Sequence, residues 1–251
     1  MPTAWFTTQL HLFEAAFTKE LEKIEAPERL KEALLYSTLN GGKRLRPLLT
    51  IASGELCDAK MAAILSIASA IEMIHAYSLV HDDLPAMDDD EYRRGKLTCH
   101  KAYDEATAIL TGDALLTASF ESLSHIEEIS AEKRLQLIQL ISHAAGSAGM
   151  VGGQYLDLSS ENRIISLHEL ETLHRKKTGA LIKASILAGA IAGDTDQSTY
   201  DRLSVYADNI GLAFQIKDDI LDLIGTQEEL GKKPGSDLLQ EKSTYISLLG
   251  L

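Results

Sequence analysis

The stretch Ile74-His75-Ala76-Tyr77-Ser78-Leu79-Val80-His81-Asp82-Asp83-Leu84-Pro85-Ala86-Met87-Asp88 decides how this chain reads. Its first half continues a run from Ala62 to Val80 that is apolar nearly all round. A helix of that kind is buried on most sides. Its second half sets three carboxylates beside that helix, followed closely by Arg93-Arg94. Carboxylates repel one another, so crowding them in an apolar setting costs stability unless a cation neutralises them. On an unbroken helix Asp82 and Asp88 would face different directions. Pro85 lies between them and ends or bends the helix, so the spacer can fold back and let both carboxylates meet one metal.

A second cluster, Asp218-Asp219-Ile220-Leu221-Asp222, lies far along the chain. Asp218 and Asp222 are four residues apart and sit within about 40° of each other on a helix. Gln215, Asp218, Asp219 and Asp222 read as one polar stripe among the apolar Leu212-Ala213-Phe214 and Ile220-Leu221. Such a stripe on a buried helix is costly unless it faces a cavity. Hard divalent cations prefer oxygen ligands, and Mg²⁺ typically joins one or two carboxylates to substrate phosphates. The two clusters therefore suggest a metal-bound diphosphate held between two helices.

Cations are placed to match. Gly41-Gly42-Lys43-Arg44-Leu45-Arg46-Pro47 joins a glycine turn to a helix start, where backbone N–H groups, Lys and Arg suit a phosphate. Lys43 and Arg46 are three apart and can grip one diphosphate. Lys176-Lys177-Thr178-Gly179 opens another helix and sets a cation beside the Thr178 hydroxyl. Lys232 and Lys242 flank a loop bearing Gly and Pro, just after the second cluster, that can close over a diphosphate. His75 lies two turns before Asp82 and reads either as a diphosphate contact or as a hydrogen-bonded core histidine. Asp89, Asp90 and Glu91 read as solvated loop acids.

Composition narrows the classes. The chain has 251 residues, is 45% hydrophobic and carries a formal net charge of −13. That charge argues against non-specific nucleic-acid binding, although metal ions and a few placed cations can reverse the field locally. Val occurs only at 80, 151 and 205, while Ala, Leu, Ile and Glu abound, which favours helix over sheet. Cys57 and Cys99 form no CxxC pair and read as reduced thiols of a cytoplasmic protein. No signal sequence opens the chain, and no uninterrupted apolar run approaches the ~20 residues of a membrane span.

Periodicity predicts helices over 7–25, 27–39, 44–56, 58–82, 102–123, 130–149, 166–175, 177–192, 198–223 and 238–249. The breaks are expected at Gly41-Gly42, Pro85, Gly95, Gly152-Gly153, Gly193-Asp194, Gly225 and Pro234-Gly235. No linker or composition break marks a second domain, so residues 1–251 read as a single all-helical domain.

The ordered set GGKRLRP (41–47), IHAYSLVHDDLPAMDDDEYRRG (74–95), TGDALL (111–116), GGQYLDL (152–158), KKTGALI (176–182), GLAFQIKDDILD (211–222) and GKKPGSDLLQEKST (231–244) resembles the trans-isoprenyl diphosphate synthase family. It is most similar to the bacterial farnesyl diphosphate synthase group, whose four-residue spacer between the second and third aspartates it shares. The resemblance covers roughly residues 40 to 250. It implies a fold, an isoprenoid synthase-type all-α bundle of about ten helices around a deep central cavity, usually as a homodimer.

It also implies a chemistry: Mg²⁺-dependent head-to-tail joining of isopentenyl diphosphate to dimethylallyl or geranyl diphosphate. Asp82, Asp83 and Asp88, with Asp218, Asp219 and Asp222, would hold about three Mg²⁺ ions, for which Mn²⁺ can substitute. Arg93, Lys177, Lys232 and Lys242 would complete the allylic diphosphate site. Lys43, Arg46, His75 and Arg94 would hold isopentenyl diphosphate. Lys177 through its carbonyl, with Thr178 and Gln215, would line the developing cation. Tyr77, with Ser78 beside it, is the expected floor of the chain cavity, about 7.5 Å from Asp82 along the helix axis. Family members continue past a point like Leu251 with further helices, so C-terminal helices are expected to be missing here. Competing readings are a geranyl or geranylgeranyl diphosphate synthase, a terpene cyclase or head-to-head synthase, and a non-catalytic partner subunit. An acidic Ca²⁺ protein would need alternating loop ligands, which are absent.

Overall fold

The computed structural model describes residues 3–161, 163–224 and 244–250, apart from the side chains of 222–224. Its helices are α1 (Ala4–Lys23), α2 (Glu28–Thr38), α3 (Leu45–Leu56), α4 (Met61–Asp82), α5 (Cys99–Ala102), α6 (Glu105–Ser124), α7 (Ala131–Ala145), α8 (Met150–Ser160), α9 (Leu167–His174), α10 (Ala180–Ala192), α11 (Gln197–Ile224) and α12 (Tyr245–Leu249). A π-turn, Arg175–Gly179, joins α9 to α10. Between α4 and α5 lie two short strands, β1 (Tyr92–Arg93) and β2 (Lys96–Leu97), paired antiparallel. The chain forms two compact units, Met1–Leu140 with Ser185–Tyr200 and Ile141–Ala184 with Asp201–Leu251.

In the first unit α4 is the central helix. Its buried side chains, among them Ile64, Ile67, Ile71, Met73, Ile74, Tyr77 and Val80, cover most of its circumference. It packs most extensively against α6 and next against α3. By length and composition α4 is apolar enough to cross a membrane, but 78% of that stretch is buried inside the protein. Its apolarity is that of a core helix. This core holds the charged pair Arg44–Glu72. Arg44 donates to Glu72 at 2.7 Å and to the Thr38 carbonyl at 2.9 Å. Both side chains are 3% exposed, so neither charge is left unpaired.

In the second unit α9 starts with a capping box between Ser166 and Glu169. Its inner face contributes Leu170 and Leu173 to a cluster with Ile165 and Tyr245, backed by Leu212 and Ile216 of α11.

Two features depart from the sequence expectation. Gly152-Gly153 is not a break but lies inside α8. A Cβ at Gly153 would come within 2.1 Å of the Lys177 backbone nitrogen, so glycine there serves a backbone-to-backbone contact. The expected gap between 175 and 177 is closed, because the π-turn carries the chain from α9 into α10 without a break. The helix expected over 102–123 is α6, whose start is set by Asp104, which accepts the Thr107 N–H at 2.7 Å; the short α5 precedes it. Of the segment expected over 238–249, the described part is α12. The breaks at Gly225 and Pro234-Gly235 lie outside the described residues.

Candidate functional site

The first aspartate cluster is built by the end of α4. The helix stops at Asp82, and the chain returns on itself: the Asp88 N–H donates to the Asp82 carbonyl at 2.9 Å, and the Asp89 N–H to the Leu84 carbonyl at 3.2 Å. The fold-back expected from Pro85 is therefore present, and it brings Asp82 and Asp88 together in backbone terms. Asp83 has a different environment. It is 3% exposed and accepts from the Arg93 Nε at 2.7 and 2.9 Å, a two-pronged grip. Burial pushes its pKa up to about 6, against the lowering effect of Arg93.

The Arg93 grip depends on a hairpin that periodicity did not reveal. Arg94 and Gly95 form its two-residue loop, both with positive φ (54° and 78°), as a type I′ turn requires. Arg93 and Arg94 then serve different partners. Arg94 donates to Asn40 Oδ1 at 3.0 Å and to the Gly41 carbonyl. Its guanidinium lies flat on Gly42, where a Cβ would meet Cζ at 2.6 Å.

That contact places Arg94 beside the loop before α3. Gly41, Gly42 and Arg44 all have positive φ (85°, 123° and 46°), which turns the loop into the helix. Lys43 is exposed at its tip and Arg46 is half-buried in the first turn of α3. His75 lies in the field of Arg46, Arg94, Arg93 and Arg44. Burial first, and those charges next, hold its pKa well below the ordinary histidine value, so at neutral pH it is an uncharged hydrogen-bonding group. The first unit thus brings Arg46, His75 and Arg94 into one cationic locality.

Deeper along α4, Tyr77 is buried, and its ring meets His81 edge-on at 5.6 Å. The Ser78 hydroxyl donates to the His75 carbonyl at 2.8 Å. Asp89 pairs with Lys101 at 3.6 Å and Asp90 with Arg93 at 3.5 Å, so two of the three acids read as solvated have a cation nearby.

In the second unit a cavity of about 150 Å³ is lined by Asp157, His174, Lys177, Thr178, Gln215 and Thr244, among others. The π-turn presents Lys177 and Thr178. Such turns are insertions in a helix that recur at functional sites. Asp157 accepts from Lys177 at 2.6 Å. Sequence reasoning missed Asp157 and His174 as site residues, although Asp157 stood in the quoted GGQYLDL. The signal was Gly153: the close approach it allows sets Asp157, one turn on, next to the π-turn. On α11 Asp218 is half-buried and Asp219 is buried. Asp222 lies one turn further along the same helix. Lys232 and Lys242 lie outside the described residues.

Among the described residues no three His, Cys, Asp or Glu side chains form a closed metal site. Mg²⁺ seldom takes a closed all-protein cage. It keeps waters and substrate oxygens beside one or two carboxylates. The oxygen-only donors Asp82 and Asp88 at the fold-back suit that habit.

The polyprenyl synthetase family model matches residues 27–251. The chain is 47% identical to a farnesyl diphosphate synthase of Bacillus subtilis, over 99% of this chain and 85% of that one. It is 52% identical to a farnesyl diphosphate synthase of Micrococcus luteus, over 90% of this chain and 77% of that one. Among solved structures it resembles a geranyltransferase from Helicobacter pylori complexed with magnesium and isoprenyl diphosphate, with TM-score 0.87 and 35% identity, covering 100% of this chain and 86% of that one. The fold-back after α4, the cationic turn before α3 and these likenesses lead to one assignment: the chain belongs to the polyprenyl synthetase family.

Proposed function

We propose that the protein is a Mg²⁺-dependent prenyltransferase. It joins isopentenyl diphosphate head-to-tail to dimethylallyl and geranyl diphosphate, and it makes mainly farnesyl diphosphate with release of diphosphate. The observation that carries this reading is the arrangement around α4. One end of a buried helix carries folded-back carboxylates, and Arg46, His75 and Arg94 gather beside it. An acidic group suits a metal-bound diphosphate and a cationic group suits a metal-free one, so two diphosphate substrates are accommodated by chemistry alone.

The residues then take these roles. Asp82 and Asp88 would offer carboxylate oxygens to Mg²⁺, as would Asp218 and Asp222; about three ions are expected, with Mn²⁺ as a substitute. When bound, Mg²⁺ would neutralise the charge of the departing diphosphate. Lys43, Arg46, His75 and Arg94 hold the isopentenyl diphosphate. Arg93 fixes Asp83, and Lys177, Lys232 and Lys242 add positive charge at the allylic diphosphate. Breaking the allylic C–O bond leaves a carbocation, which the Lys177 carbonyl, Thr178 and Gln215 face with oxygen lone pairs. The apolar side chains of α4 keep water from that cation. The double bond of isopentenyl diphosphate attacks it, and the proton is lost to the departing diphosphate. Tyr77, with Ser78, forms the floor that stops growth. We further propose that the enzyme works as a homodimer in the cytoplasm.

The test is the product. Labelled isopentenyl diphosphate is incubated with dimethylallyl or geranyl diphosphate and the products are separated by length. Mainly farnesyl diphosphate supports the reading, whereas mainly geranylgeranyl diphosphate overturns the product while leaving the reaction class.

A further inference from the structure

In each aspartate cluster the second carboxylate is already engaged by the protein. Asp83 is gripped by Arg93. Asp219 is 7% exposed and accepts the backbone N–H of Tyr245 at 2.7 Å. Tyr245 is the first residue of α12, a position whose N–H has no partner within its own helix. Asp219 supplies that partner across a sequence gap of 26 residues. The contact has support on both sides. The Tyr245 side chain is buried with Ile165, Leu170 and Leu173, and its ring lies 5.3 Å from that of His174.

Helix geometry separates Asp219 from its neighbours. At 100° per residue, Leu212, Ile216 and Asp219 fall on one face of α11. Leu212 and Ile216 pack in the cluster that holds Tyr245. Asp218 falls about 100° away from Asp219 around the helix. Asp219 thus belongs to the face of α11 that docks α12.

We propose that Asp219 is a positioning residue rather than a metal ligand. Its carboxylate latches residues 244–249 onto α11 and fixes the rotation of the helix that bears Gln215 and Asp218. The metal part of this inference rests on the proposed prenyl transfer; the latch does not. Asparagine at 219 keeps an acceptor oxygen for the Tyr245 N–H but is a poor Mg²⁺ ligand, and alanine keeps neither property.

The experiment has two readouts on the full chain. One is the Mg²⁺ concentration giving half-maximal thermal stabilisation in the presence of inorganic diphosphate. The other is amide hydrogen exchange in the peptide spanning 244–250. Asp219→Asn should leave the Mg²⁺ requirement within about twofold of the unmutated protein, while Asp218→Asn should raise it about tenfold or more, as expected for loss of a charged contact. Asp219→Ala should speed exchange at 244–250 about tenfold, as for loss of one net hydrogen bond, and Asp218→Asn should not. The proposal is overturned if Asp219→Asn raises the Mg²⁺ requirement as far as Asp218→Asn does, or if Asp219→Ala leaves exchange at 244–250 unchanged. If the unmutated protein shows no Mg²⁺-dependent stabilisation, the prenyl-transfer reading fails, and the exchange arm still decides the latch.

Discussion

The two aspartate clusters reach similar compositions by different routes. In the first unit the acids stand where a buried helix ends, and a backbone fold-back around Pro85 brings Asp82 and Asp88 together. In the second unit the acids stand on a helix that runs unbroken from Gln197 to Ile224, so helical phase alone sorts them. The first route depends on a turn and on the Arg93 hairpin. The second depends on what α11 packs against, and the neighbouring π-turn is pressed against α8 at Gly153. The difference teaches that the same residue type in two motifs needs different supports. Substitutions at the supports should therefore divide the two regions.

The largest effects are expected at the carboxylates proposed to serve a metal in either route. Asp82→Ala and Asp218→Ala should each lower turnover by about a hundredfold or more, the scale of losing an electrostatic contact to a leaving group. Circular dichroism should show helix content unchanged. If either variant keeps near-normal turnover, the proposed equivalence of the two clusters breaks.

Next come the supports. Gly153→Ala places a carbon 2.1 Å from the Lys177 nitrogen, and backbone on both sides leaves little room to yield. It should cost about 3 kcal/mol, the upper range for overpacking. Gly112→Ala in the first unit meets the His81 ring, a side chain that can turn away, so it should cost less. Thermal denaturation of the two variants ranks them, and the reverse ranking would contradict the packing argument.

Arg46→Ala tests the cationic side of the first unit. It should raise the KM for isopentenyl diphosphate about tenfold, one charge-assisted hydrogen bond's worth, with a smaller change for geranyl diphosphate. Equal changes would place Arg46 at the wrong substrate.

How much of this was legible without coordinates follows from the same contrast. Patterning by residue type revealed the buried α4, both clusters and the Gly-Lys-Arg turn, because burial and charge leave marks in one dimension. Proline announced the fold-back. The hairpin was not legible: its strands are two residues each, too short for alternation to show, and Arg94 occupies a left-handed position usually given to Gly or Asn. Gly153 misled because a glycine breaking a helix and a glycine admitting a neighbouring backbone look alike in sequence. Arg44, between the two cations expected to grip a diphosphate, is committed to Glu72 and Thr38, which its sequence position did not show. The engagement of Asp219 was hidden because Tyr245, which donates to it, lies in a distant segment.

A smaller effect separates the units by pH. Burial, against Asp157 and aided by Lys177, holds the His174 pKa down to about 4; the Tyr245 ring packs beside it. The unfolded chain binds this proton near 6.5 and the folded one only near 4. Stability from this group is therefore complete above about 6.5 and is lost as pH falls toward 4, with a ceiling of about 3 kcal/mol. His174→Gln should flatten the decline in stability measured by urea denaturation between those values. An unchanged profile would remove His174 from the account.

The central claim is prenyl transfer driven by carboxylate-held Mg²⁺, and metal removal tests it most directly. Condensation of labelled isopentenyl diphosphate with geranyl diphosphate should fall to background in EDTA and return when Mg²⁺ is restored in excess. Near-normal product formation in EDTA would contradict it.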